Sequence, residues 1–167
     1  IAGGLGASNS QGTWVITSYA VAEAIMVPLT GWLSKRFGAV KIFCLSLIGF
    51  GFFSAVCGLA QSLNMLIAAR VLQGLAGGPL LPLSLTLMLR IFGPKRSPAA
   101  NGLWSMTTLI APVAGPILGG WLCDEYSWPW IFLINVPFAF LSAIALYFMF
   151  RSHKENTEQH PIDKVGL

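Results

Sequence analysis

Charge is scarce in this sequence: Asp, Glu, Lys and Arg together make up 10% of its 167 residues, against 55% hydrophobic residues and a mean hydropathy of +0.71. An ordinary soluble domain carries about a quarter charged residues, so a water-exposed globule is excluded and a polytopic membrane protein is the default reading. Cysteine is sparser still. Cys44, Cys57 and Cys123 are odd in number, lie within or at the end of apolar runs and lack metal-ligand spacing, which excludes a disulfide framework and leaves them as small packing residues. The two histidines, His153 and His160, stand in a polar stretch with no Cys or clustered carboxylates beside them, a solvated pair rather than a metal site. No phosphate-binding glycine loop, metal-spaced His pair or nucleophile elbow occurs, which argues against an enzyme and against ATP-driven transport. No metal and no cofactor are expected. The chain opens on Ile1 rather than Met, with no charged-then-apolar leader, and reads as a fragment.

What is abundant is long apolar sequence. Crossing the hydrocarbon core takes about 20 helical residues, and five stretches suffice: approximately 13–33, 40–59, 65–89, 101–122 and 130–150. Short connections between them predict antiparallel hairpins, so the expected fold is an all-α bundle of five transmembrane helices over 1–151. Residues 152–167 turn polar and read as a cytoplasmic linker leading to a next span.

The few charges orient this bundle, because Lys and Arg near span ends stay cytoplasmic. Lys35, Arg36 and Lys41 flank the first connection, Arg90, Lys95 and Arg96 the third, and Arg151 and Lys154 follow the last span, whereas the second and fourth connections hold no Lys or Arg. The fourth carries Asp124 and Glu125 among Trp121, Tyr126, Trp128 and Trp130, an outer interfacial belt. The start of the chain is therefore placed outside and residues 152–167 inside, in the cytoplasmic membrane. The net charge of +4 reflects this topology and not nucleic-acid binding.

Two charges do not fit a purely structural span. Arg70 lies about six residues, roughly 9 Å, inside the third; Arg at a span centre costs about 2.5–3.5 kcal/mol on insertion scales, reduced by snorkelling, and generally faces a bundle interior or a pathway. Glu23 is the only carboxylate well inside any span, roughly 15 Å deep. A carboxylate there can carry protons or contact cationic ligands, with Arg70 as electrostatic partner; a structural hydrogen bond to a neighbouring helix is the alternative. The fourth span has its own oddity, Ala111-Pro-Val-Ala-Gly115-Pro116-Ile-Leu-Gly119-Gly120. Two prolines and three glycines in apolar surroundings make a helix that bends and packs closely.

Three motifs carry a resemblance to the major facilitator superfamily, in particular its fourteen-span drug:proton antiporters of the EmrB/QacA type. Gly31-Trp-Leu-Ser-Lys35-Arg36-Phe-Gly38-Ala-Val-Lys41 resembles the gating loop between the family's second and third spans, with Lys35 where an acidic residue is usual. Arg70-Val-Leu-Gln73-Gly74-Leu-Ala-Gly77-Gly78 is similar to the motif of its fourth span. There the resemblance implies a role for Arg70 in proton coupling, with Gln73 one turn away; Gly74, Gly77 and Gly78 read as helix-packing residues. Gly102, Ala111, Gly115, Pro116, Gly119 and Gly120 occupy the positions of the fifth-span motif that distinguishes antiporters. Trp128-Pro-Trp130-Ile-Phe-Leu-Ile-Asn135-Val-Pro137 resembles the entry to the sixth span.

The resemblance implies spans two to six, most of the amino-terminal half of a transporter that rocks between two states and exchanges protons for hydrophobic or amphiphilic drugs. The proton gradient would be its energy source. A periplasmic adaptor and an outer-membrane channel would be its partners if the source has an outer membrane. Two other readings stay open: a facilitator that imports a solute, against which the Gly115-Pro116 helix argues, and a membrane interaction protein that transports nothing.

Overall fold

The computed structural model describes residues 9–150; residues 1–8 and the stretch 151–167, with His153, His160 and the expected linker, lie outside them. The described chain is all-α. In order it forms α1 (Asn9–Phe37), α2 (Ala39–Gly58), α3 (Leu63–Gly77), α4 (Leu80–Phe92), a 3-10 turn (Pro94–Arg96), α5 (Ser97–Glu125), α6 (Trp130–Leu133) and α7 (Asn135–Phe150).

Among the described residues five segments are long and apolar enough to cross a membrane: Gln11–Phe37, Ala39–Gly58, Leu63–Phe92, Pro94–Glu125 and Trp130–Phe150. Two of them are interrupted, where the sequence reading ran straight through. In the third, Pro79 and Pro82 have no N–H to return to the carbonyls of Leu75 and Gly78, and Gly77 and Gly78 add little helix propensity of their own. The ladder stops at Gly77 and resumes at Leu80. In the fifth, Pro137 likewise leaves the Leu133 carbonyl without its helical donor, and α6 is separated from α7 at Ile134, with the Asn135 side-chain amide donating to the Ile131 carbonyl at 3.2 Å. Pro28 in α1 and Pro112 and Pro116 in α5 leave their helices unbroken.

The connections are short and locally determined. Ser62 caps α3 by accepting from the Met65 backbone N–H at 3.3 Å. Gly38 alone joins α1 to α2, buried and at φ +92°, a conformation open to glycine and rarely to any other residue. Gly93 at φ +71° does the same between α4 and the 3-10 turn.

Helix α3 packs against both α1 and α2, α2 also carries α7, and α5 stands at the margin against α4 and α6. Two clusters of buried apolar side chains mark the two ends of the bundle. At one end Val15, Cys57, Ala60, Leu66, Ala69 and Phe132 form a cluster, and at the other Ala39, Ile42, Leu83 and Leu87 form a second. Large apolar side chains elsewhere, among them Ile25, Leu45, Phe52, Leu109, Ile117 and Leu141, point outward. That arrangement is unfavourable in water and costs nothing in lipid, where helix association rests on close backbone approach and buried polar contacts.

Candidate functional site

The first end cluster surrounds Arg70. Seven residues into α3, the guanidinium is held on three sides by uncharged groups. Its Nε donates to the Val15 carbonyl of α1 at 3.1 Å, and its Nη1 donates to Oε1 of Gln73 at 2.9 Å. The Cζ lies 4.1 Å from the centre of the Tyr19 ring and 5.6 Å from that of Phe132. A desolvated cation over an aromatic face gains about 2 kcal/mol, enough with the hydrogen bonds to offset much of the cost of placing Arg inside a span. Gln73 is 1% exposed and its oxygen also receives the Cys57 thiol at 3.6 Å. Arg has only donors to offer, so the amide oxygen must face it, and Nε2 is left buried without an acceptor. Ser54 closes the floor by donating to the Phe132 carbonyl at 2.8 Å.

Below this cradle, α1 and α3 meet backbone to backbone. A Cβ on Gly74 would come within 2.5 Å of the Tyr19 carbonyl and 2.9 Å of Ala22 Cβ; on Gly78 it would lie 2.5 Å from Met26 Cβ and 3.0 Å from the Glu23 carbonyl. On Gly77 it would meet the Tyr19 hydroxyl at 3.0 Å and Phe50 of α2 at 3.3 Å. These glycines are packing residues, as their spacing suggests. The closeness they permit is what brings Tyr19 to Arg70.

Glu23 lies one turn beyond Tyr19 on α1, half-exposed, near the middle of the first span. Among the described residues no ion pair joins it to Arg70, whose hydrogen bonds go to Val15 and Gln73, so an electrostatic partnership of the two would act over a distance. The cradle is neutral instead, built from a carbonyl, an amide and a ring.

The other sequence-selected residues stand apart from this cluster. Lys35, Arg36 and Lys41 are exposed around the Gly38 turn at the opposite end, where Arg36 lies over Trp32 at 5.8 Å and Phe37 at 5.9 Å; Gly31 opens onto free space. The described carboxylates, Glu23, Asp124 and Glu125, lie elsewhere, so that loop has no acidic latch among the described residues. On α5, a Cβ at Gly102, Gly115, Gly119 or Gly120 would meet nothing within 4 Å, and Ala111 and Pro116 are exposed. The close packing their pattern implies is not made by any described helix. Only Ala100 and Leu122, near the two ends of α5, are buried.

Comparison with known proteins supplies the frame for this geometry. The profile of the Major Facilitator Superfamily matches residues 1–166. The chain belongs to the major facilitator superfamily. It is similar along all 167 residues to the multidrug export protein EmrB of Escherichia coli K12, at 53% identity, and to that of Haemophilus influenzae, at 50%. The fatty acid resistance protein FarB of Neisseria gonorrhoeae is 47% identical over the same length. In each case the match takes in 33% of the relative; the chain thus spans about a third of the proteins it resembles. Within the superfamily frame it is a multi-pass membrane protein whose five apolar helices include one broken at Gly78 and Pro79 and one at Ile134.

Val15, Tyr19, Cys57 and Phe132 are the residues that sequence reasoning missed. Tyr19 could have been found from the row Val15, Tyr19, Ala22, Met26, Thr30, whose spacing of three and four sets one face of α1. Nothing in that row says which helix it meets.

Proposed function

We propose that a protein carrying this chain exports hydrophobic or amphiphilic compounds across the cytoplasmic membrane in exchange for protons, by alternating access about a site near the membrane midplane. The observation that carries the reading is similarity along the whole chain to multidrug export proteins, and the Arg70 cradle fits it chemically. A cation fixed by neutral groups keeps its charge uncommitted, and so responds to protonation of a carboxylate reached through low-dielectric surroundings. Glu23, half-exposed on the same pair of helices, is the described carboxylate best placed to load and release a proton. The relative named for fatty acid resistance supports amphiphilic cargo. The energy source is the proton gradient, with no cofactor.

The basic end, with Lys35, Arg36, Lys41, Lys95 and Arg96, faces the cytoplasm by the positive-inside rule. The open glycine row of α5 is then a contact for helices of the complete transporter, in the outer half of the bilayer. In a source with an outer membrane, a periplasmic adaptor and an outer-membrane channel complete the path.

Dye accumulation in cells expressing the complete gene tests this reading. Export should collapse on adding a proton uncoupler; export that persists unchanged would refute proton coupling. Glu23→Gln, which removes the titrating group and keeps its shape, is expected to leave dye binding measurable while proton-driven export is lost. Unchanged coupling in that variant would remove Glu23 from the mechanism.

A further inference from the structure

A groove of about 450 Å³ runs between α2 and α7 on the outward face of the bundle, away from the Arg70 cradle. Its walls are apolar: Cys44 and Ile48 from α2, Phe140, Ala143, Ile144 and Tyr147 from α7. On each helix these residues recur at three- and four-residue intervals, so each contributes one continuous face. The same row of α2 begins one turn earlier with Lys41, which is exposed. Tyr147 stands at the corresponding level of α7, one turn before its end at Phe150, and is 59% exposed. The groove is therefore apolar along its length, and Lys41 stands exposed on α2 one turn beyond Cys44, at the basic end of the bundle.

That combination fits one chemistry. An acyl chain fits an apolar groove of this volume, which falls within the usual range for bound small molecules, and Lys41 just beyond its end lies at the level where lipid headgroups sit. Lys41 is flanked at the same end by Lys35, Arg36, Lys95 and Arg96, with no carboxylate among the described residues there. Basic pockets between transmembrane helices at such an end take anionic headgroups. We infer that the α2–α7 groove binds an anionic phospholipid of the same leaflet, its phosphate at Lys41 and one acyl chain along Cys44, Ile48, Ile144 and Tyr147.

The test uses the complete transporter purified in detergent and offered phosphatidylglycerol or phosphatidylcholine, with bound lipid read by native mass spectrometry. Wild type should retain phosphatidylglycerol preferentially. Lys41→Gln should lower that preference about five-fold, the effect of one cation at a membrane surface, and Lys41→Arg should restore it. Ile144→Trp, which fills the groove from an exposed position, should lower retention of both lipids. Thermal unfolding in lipid-free detergent identifies any variant that has lost its fold, in which case Ile48→Trp, on the facing wall, replaces it. Equal retention of the two lipids by wild type, or no effect of Lys41→Gln, would overturn the assignment. So would cross-linking that places another segment of the transporter in the groove.

Discussion

Arg70→Ala is expected to reduce proton-driven export to background while leaving the protein folded and inserted. The two halves of that expectation rest on the same geometry. The guanidinium is the cation of the α1–α3 seam, and without it no positive charge answers the protonation of a nearby carboxylate. Stability, by contrast, changes little. The Val15 carbonyl it caps belongs to an α-helix, Gln73 keeps its bond from Cys57, and removing a desolvated cation relieves part of the cost that its neighbours now offset. Arg70→Lys should fail almost as completely, because an ammonium cannot stack on Tyr19 and reach both Val15 and Gln73 through a planar fork. Uncoupler-sensitive dye export and thermal unfolding in detergent, measured on the same preparations, check both halves. Retained export in Arg70→Ala would remove the cradle from the coupling machinery, and a large loss of stability would make it a structural feature.

The second large effect is steric. Gly74→Leu is expected to abolish folding, and Gly74→Ala to destabilise by about 1–3 kcal/mol, the usual cost of forcing atoms into a packed contact. Even the single methyl of alanine would lie 2.5 Å from the Tyr19 carbonyl, a backbone atom that moves only if α1 moves. Separating α1 from α3 also withdraws Tyr19 from Arg70, so export should fall further than stability alone explains. Gly115→Ala supplies the contrast. Its methyl meets nothing within 4 Å in the described chain, so any cost measured in the complete transporter reports a helix packed against α5 there. Denaturation in mild detergent separates the two cases; a Gly74→Ala protein as stable as wild type would show that the seam has room to spare.

Much of this was legible in the residues themselves. Apolar length gave the all-α membrane bundle with its five helices, and Arg70 and Gln73, three residues apart on one helix, had to be neighbours. What was hidden is what depends on which helix faces which. The Tyr19 ring, the Val15 carbonyl and the Cys57 thiol reach Arg70 and Gln73 from two other helices, and periodicity orients a face without naming its partner. Cys57 is the small packing residue it looked to be, and it also donates to Gln73. Glu23 and Arg70 read as electrostatic partners because both lie in the outer half of their spans; the direct contacts of Arg70 are an aromatic face, a carbonyl and an amide. The helix breaks were visible as Gly77-Gly78-Pro79 and Asn135-Val-Pro137, but apolar length, the stronger signal, hid them. The α5 motif reads as a packing surface, and no described helix packs on it.

Gly38 has a mechanical consequence. A single residue separates the last turn of α1 from the first turn of α2, and consecutive Cα atoms are about 3.8 Å apart. The two helices can swivel about that point, but neither can slide along its axis without dragging the other. Any rocking of the α1–α3 seam is therefore delivered to α2 at its basic end as a tug on a fixed pin. The groove lined by α2 and α7 is moved by the same pull.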